Sequence, residues 1–335
     1  MLMVNVHCRV MEKRKLLGVT ILILVLAVYL VQNPNFSTLQ LREKLKDKVI
    51  VICGASSGIG ERIAYKYAAA GAKIVLSARS LDRLAKVQTK CSTLGASSVH
   101  IIPQDFSKLT GIENFRNNVL EIHSSIDTLV LNHAAIPLGP WIALPNQQDH
   151  QFTTRTFNIN VLSYIELTRV FLPDLEITSG QIQVTGSISG WCPFYQAGLY
   201  TSTKHAVNGF FYSLQQELLA KQSPITLTVF TLGLILTPEM DTLISSETDT
   251  ALIPDLFKGK VDECADVIVS SALTRPRNVD YPIFSVKSNR FMAYVFPYFH
   301  ELATFTYGLS YDDIVQTHER IRKLGDKIGY QLGNK

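Results

Sequence analysis

A doubly wound α/β fold, one parallel sheet with helices on both faces, is the architecture this sequence of 335 residues predicts. Three observations predict it. From residue 48 onward, short runs rich in Val, Ile and Leu alternate with stretches of helix length. These runs are continuously apolar rather than alternating, which marks strands covered on both faces. The first of them ends in a glycine-rich turn that opens directly into an amphipathic stretch. No internal repeat or low-complexity tract interrupts the pattern.

In chain order, the first strand is expected over 49–53 (Val-Ile-Val-Ile-Cys), a helix over 60–70, and the second strand over 73–77 (Lys-Ile-Val-Leu-Ser). Further strands are expected at 99–102, 128–132, 182–185 and 226–231. Helices near 80–94, 108–124, 147–177 and 200–222 separate them. The folded domain is placed at 46–285 and a C-terminal appendage at 286–335, where Phe291-Met-Ala-Tyr-Val-Phe-Pro-Tyr-Phe299 precedes a charged, helix-like tail. That appendage reads either as core packing or a dimer contact, or as an element that dips into a membrane or gates the substrate.

The N-terminus has a direction. A basic tail (1–15, with Arg9, Lys13, Arg14 and Lys15) precedes an uncharged apolar run at 16–31 and a polar connector at 32–45. This is the order of a signal anchor or signal sequence. Sixteen apolar residues are fewer than the roughly 20 that span a bilayer, yet no small-x-small cleavage site follows them. The run is therefore expected to stay as an endoplasmic reticulum membrane anchor with the folded domain in the lumen. Secretion after signal cleavage is the alternative.

Composition narrows the partners. Hydrophobic residues make up 47% of the chain and charged ones 18%, which points to a lipophilic small molecule or a membrane. A net charge of +4 without a basic stripe gives no case for nucleic acid. Five cysteines without a CxxC pair argue against a zinc site or a disulfide framework, so no metal is expected.

The turn Gly54-Ala55-Ser56-Ser57-Gly58-Ile59-Gly60 has the spacing GxxxGxG between a strand and a helix. Glycines there allow close approach of a pyrophosphate, whose charge meets the N–H groups at the helix start; Ser56 and Ser57 would add hydroxyl contacts. The second strand ends in Ser77-Ala78-Arg79-Ser80, where an NAD-selective site places an acid. Arg79 instead offers a guanidinium for a 2′-phosphate, with Ser80 as a second donor, so NADP(H) is the expected cofactor. A solvated arginine at a strand end is the plain alternative. Asp105 is placed to meet the adenine, and Asn132, His133 and Ala134 to support the nucleotide and the central sheet.

Tyr200-Thr-Ser-Thr-Lys204 sets a phenol and an ammonium one helical turn apart. A phenol with an unperturbed pKa of ~10 works as an acid–base group near neutrality only if a fixed cation stabilises its phenolate. Lys204 supplies that cation and can also bind the nicotinamide ribose. Ser187, thirteen residues before Tyr200 at a strand end, would hold the substrate oxygen, and Asn160 a water linking Lys204 to solvent. A Tyr-x-x-x-Lys pair also arises by chance on solvated helix faces. Its order after GxxxGxG and the serine sets this one apart.

With these motifs the sequence resembles the short-chain dehydrogenase/reductase superfamily over roughly residues 46–285, in the subgroup with Ser–Tyr–Lys–Asn catalysis and a Rossmann domain. Cys53 stands where Thr is commoner, and Asn132-His-Ala-Ala135 departs from the usual Asn-Asn-Ala-Gly. That histidine, the N-terminal run, the Ser-Ala-Arg-Ser segment, Leu232-Gly-Leu-Ile-Leu-Thr237 and Gly209-Phe-Phe211 are similar to the 11β-hydroxysteroid dehydrogenases of type 1 and their 1-like relatives. The resemblance implies that the nucleotide also touches Ile235 and Thr237. It implies a substrate over Ser187, lined by Ile188, Trp191, Phe194 and the 238–258 segment. The implied reaction is hydride exchange between NADP(H) and a ketone or secondary alcohol, possible substrates being a hydroxysteroid, a retinoid, a 17-ketosteroid or a 3-ketoacyl lipid. A homodimer is the expected assembly. The rival from another class is a non-catalytic scaffold that senses NADP(H), against which the intact Ser187, Tyr200 and Lys204 speak.

Overall fold

A computed structural model describes residues 36–137, 149–194, 197–238, 240 and 258–295. All of them belong to a unit that begins at Phe36. The basic tail and the apolar run at 16–31 lie outside the described residues, as does the chain beyond 295. Among the described residues no helix is long and apolar enough to cross a membrane.

The connector expected up to residue 45 already contains a helix, α1 (Thr38–Leu45). Ser37 Oγ accepts from the Gln40 N–H at 3.3 Å and the Gln40 side chain accepts from the Ser37 N–H at 2.9 Å, a reciprocal cap that starts a helix even where composition reads as a linker. Leu41 and Leu45 anchor it in the core.

The alternation then runs as expected. Strand β1 (Val49–Cys53) leads to α2 (Gly58–Ala69), β2 (Lys73–Ser77), α3 (Leu81–Leu94), β3 (Ser98–Ile101), α4 (Ile112–Ile122) and β4 (Thr128–Leu131). The long helix expected over 147–177 is two helices, α5 (Asp149–Phe157) and α6 (Ser163–Thr178), joined by a π-helical turn (Asn158–Leu162). Then follow β5 (Gln181–Thr185), α7 (Gly198–Ala220), β6 (Thr226–Leu232), and the short strands β7 (Leu234–Leu236) and β8 (Lys258–Lys260), which pair with each other. The chain continues through α8 (Val261–Thr274), β9 (Asn278–Tyr281) and α9 (Ile283–Val295).

Seven of the strands form one parallel sheet in the order β3-β2-β1-β4-β5-β6-β9. Its interior strands are buried on both faces, and residue parity sorts the side chains. Ile50, Ile52, Ile74 and Leu76 pack with Ile63, Tyr67, Leu84 and Ile268 on one face. Val51, Cys53, Leu129 and Leu131 pack with Phe115, Tyr164, Phe171 and Phe211 on the other. The edge strand β9 was not among the expected strands, and α9 starts at 283 and runs through the boundary drawn at 286. The first part of the appendage is thus continuous with the domain. Strand order reverses between β1 and β4, so a crevice opens beyond their carboxyl ends, where an open α/β sheet takes its ligands.

Candidate active site

The glycine turn fills one side of that crevice. Gly54 has φ +91°, and a Cβ there would stand 2.5 Å from the backbone N of His133; a Cβ on Gly60 would overlap the carbonyl oxygen of Gly54. Side chains at either place would push β1, β4 and α2 apart. Ser57 occupies the N-cap of α2 in extended conformation, yet its side chain makes no capping bond. The first N–H groups of α2 therefore keep their capacity for an anion, which is what a pyrophosphate site requires. Ser56, Ser57, Gly58 and Ile59 are all half-exposed around that helix start, while Gly60 is buried beneath it.

Arg79 is exposed just past β2 and has no hydrogen bond or ion pair among the described residues. Ser80 is partly spent: its Oγ caps α3 by accepting from the Arg83 N–H at 3.4 Å, leaving its hydroxyl proton to give. Asp105 uses one carboxylate oxygen to accept from the Ser107 N–H at 3.0 Å and hydroxyl at 2.8 Å, which shapes the loop after β3 and leaves the other oxygen.

The side chain of His133 does not face a nucleotide. Its ring is buried, stacked on Phe106 with centroids 4.0 Å apart and tilted 4.7 Å from Tyr164, and Nε2 lies 2.7 Å from Ser163 Oγ. Burial and the Lys204 charge push its pKa down to about 3, so the imidazole is neutral. Its backbone, hard against Gly54, is what shapes the cradle. Ala134 beside it is exposed.

On the opposite side, α7 carries Tyr200 and Lys204. Lys204 is 1% exposed; its Nζ donates to the Thr185 carbonyl at 2.9 Å and lies 5.7 Å from the centre of the Tyr200 ring. Burial lowers its pKa to about 8, which leaves an ammonium at neutral pH beside the phenol. Thr185 in turn donates from Oγ1 to Asn132 Oδ1 at 3.1 Å, and Asn132 Nδ2 donates to the Gly54 carbonyl at 3.2 Å. One chain of hydrogen bonds thus joins Lys204 to the glycine turn. Thr185 was missed by sequence reasoning; its signal was a hydroxyl ending a strand two residues before Ser187.

Ser187 is buried at the start of a short 3₁₀ turn (Ile188–Gly190), and its Oγ accepts from the Ser189 N–H at 3.1 Å. Its hydroxyl proton has no acceptor among the described residues, so it can be given to a substrate oxygen. Asn160 is tied into the protein through its side-chain amide. Its amide protons go to the Ala135 carbonyl at 2.8 Å and Thr203 Oγ1 at 3.0 Å, and its Oδ1 accepts from the Ala135 N–H at 2.7 Å. What its side chain has left for a water is the second lone pair of Oδ1. From the π-helical turn, Asn160 holds the segment after β4 against α7.

The substrate-side residues divide. Phe194 and Trp191 are each 36% exposed, whereas Ile188 is buried with Cys192 and Val286 and acts as packing. Ile235 is buried within β7, and Thr237 Oγ1 accepts from the Met240 N–H at 3.2 Å. Of 238–258, only 238, 240 and 258 are among the described residues.

A glycine turn that leaves a helix start open, facing a serine, a tyrosine and a buried lysine across a parallel sheet, is the site of a dinucleotide-dependent dehydrogenase. The short chain dehydrogenase family profile matches residues 48–248, and the chain belongs to that family. It is similar to the hydroxysteroid 11-beta-dehydrogenase 1-like protein of Danio rerio, 34% identical over 275 residues that cover 80% of this chain and 88% of that one. The protein of the same name from Gallus gallus is 35% identical over 248 residues, 72% of this chain and 80% of that one. Among solved structures, an alcohol dehydrogenase from the archaeon Thermococcus sibiricus complexed with 5-hydroxy-NADP is 28% identical with a TM-score of 0.59, covering 70% of this chain and 95% of its own.

Proposed function

We propose that this dehydrogenase interconverts a ketone and a secondary alcohol on a lipophilic substrate of the hydroxysteroid class, with NADP(H) as cofactor. One observation carries the reading: a buried ammonium, Lys204, is fixed beside the Tyr200 ring while Ser187 holds an ungiven hydroxyl proton on the facing strand end. The open helix start of α2 suits the pyrophosphate, and unpaired Arg79 suits a 2′-phosphate. Bound there, the nicotinamide supplies or accepts the hydride.

The chain's own residues do the rest. Ser187 donates a hydrogen bond to the carbonyl oxygen and orients it toward Tyr200. Tyr200 gives its phenolic proton to that oxygen as negative charge develops, and the Lys204 ammonium stabilises the phenolate left behind. Oxidation is the reverse, with phenolate taking the alcohol proton. The names of the relatives support a steroid-like substrate over other lipid carbonyls.

The test is a panel of steroid, retinoid and 3-ketoacyl ketones offered to the purified full chain with NADPH or NADH. Fastest consumption of NADPH on a hydroxysteroid ketone is the expected result; equal use of the two cofactors would count against Arg79 as the selector. In Arg79→Asp the preference should reverse, because the carboxylate repels a 2′-phosphate and accepts from a 2′-hydroxyl.

We also read the apolar run at 16–31 as a retained anchor in the endoplasmic reticulum membrane, with the catalytic domain lumenal and the enzyme a homodimer. The basic flank supports this orientation. In sealed microsomes the domain should resist added protease until detergent is present; digestion of intact vesicles would overturn the assignment, and a mature N-terminus near residues 30–35 would mean a cleaved signal.

A further inference from the structure

We propose that Arg290 is a positioning residue for the reaction, a clamp that holds the loop bearing Ser187 in register with Tyr200; this rests on the dehydrogenase reading above.

Asp280 on the edge strand β9 is 5% exposed, and a carboxylate so buried needs cations close by. Helix α9 supplies two. Lys287 Nζ lies 3.1 Å from one oxygen and Arg290 Nη1 3.4 Å from the other. Lys287 ends its role there, half in solvent. Arg290 continues: its guanidinium carbon sits 3.9 Å above the centre of the Trp191 ring, close contact for a cation on an indole face.

Trp191 closes the 3₁₀ turn that begins directly after Ser187, its N–H donating to the Ile188 carbonyl at 2.9 Å. The same turn meets α9 twice more. Cys192 Sγ donates to the Asn289 carbonyl at 3.5 Å, and Val286 packs on Ile188 and Cys192. Its other side is tied to the catalytic helix, since Asn208 Nδ2 donates to the Gly190 carbonyl at 2.9 Å and Trp191 leans on Tyr212 at 5.6 Å.

The turn is therefore held between α7, which carries Tyr200 and Lys204, and α9, which carries Arg290. Ser187 can share one substrate oxygen with Tyr200 only while both grips hold. Arg290 meets Asp280 and Trp191, so it acts through Trp191, and its planar guanidinium is what allows one side chain to meet a carboxylate edge and lie on a ring.

The test compares Arg290→Met, which keeps the aliphatic stem, with Lys287→Ala, which removes only the other cation from Asp280. Arg290→Met should lower kcat about tenfold or more while the NADPH dissociation constant stays near wild type, and the deuterium isotope effect on kcat should rise because misplacement slows the chemical step. Hydrogen exchange at the Gly190, Trp191 and Cys192 amides should quicken in Arg290→Met and not in Lys287→Ala. Adding Trp191→Leu to Arg290→Met should cost less than the two single losses combined, since the two changes share one contact.

Unchanged exchange at those amides, an equal fall in kcat for Lys287→Ala, or additive losses in the double variant would each overturn the clamp. A wild-type chain that turns over no ketone would instead overturn the dehydrogenase reading, and the exchange measurement would still decide whether Arg290 fixes the turn.

Discussion

Tyr200→Phe should lose turnover by about 10²–10⁴ in kcat, the usual worth of a positioned general acid, while binding NADPH almost as tightly as the wild type. The change removes one hydroxyl and keeps the ring that lies 5.7 Å from Lys204 Nζ, so neither the packing of α7 nor the glycine turn is disturbed. Steady-state kinetics beside a nucleotide titration check it. Retention of more than about a tenth of kcat, a loss under ~1.4 kcal/mol, would mean that another group donates the proton.

Lys204→Met should cost activity on a comparable scale and yet leave the fold no less stable at neutral pH. Burial depresses the lysine's pKa from 10.5 to about 8, so the folded state disfavours the ammonium. Between those values the unfolded chain binds more protons than the folded one, and stability rises with pH. Below about 8 the folded state carries the whole penalty, on the order of 3 kcal/mol. Methionine removes that penalty but leaves the Thr185 carbonyl without its donor, an opposing cost of about 1–3 kcal/mol. Denaturant unfolding at neutral pH should show a midpoint equal to or above wild type. The same shift sets the pH profile. For reduction, kcat/KM of the wild type should fall as pH rises through about 8, where the Tyr200–Lys204 pair loses the proton that keeps a cation beside the phenol. A profile flat to pH 10 would remove Lys204 from that role.

Much of the fold was legible because β1, β2 and β4 are runs apolar on both faces, the pattern of a covered parallel sheet. The strands at 49–53 and 73–77 fall where their residues put them. What stayed hidden had local or long-range causes. Strand β9, Asn-Val-Asp-Tyr, carries a buried aspartate that only the cations of α9 make tolerable, so its own composition argues against a strand. The π-helical turn at 158–162 breaks a helix at a place with no glycine or proline to announce it, Pro173 lying well beyond it within α6. The helix at 38–45 depends on a cap between Ser37 and Gln40 rather than on an apolar stripe.

At the site, spacing put Tyr200 and Lys204 one turn apart on a helix and Ser187 just past a strand end, and that is where the structure has them. Spacing could not show that Asn160 spends its amide on Ala135 and Thr203, or that the His133 ring turns into the core against Phe106 and Tyr164. Those partners lie far off in sequence, and a polar side chain's bonds follow from the tertiary fold.

The central claim, that these residues carry out hydride exchange at a carbonyl carbon, is tested most directly by following the hydride. Purified full-length chain would be supplied with NADPH deuterated at the transferring position of the nicotinamide and with a hydroxysteroid ketone, and the product examined by mass spectrometry. One deuterium at the carbinol carbon of the alcohol in the wild type, formed at least about a hundredfold more slowly in Tyr200→Phe, is the result this account predicts. Tight NADPH binding with no labelled alcohol from any ketone would contradict it and would leave a nucleotide-sensing scaffold in place of an enzyme.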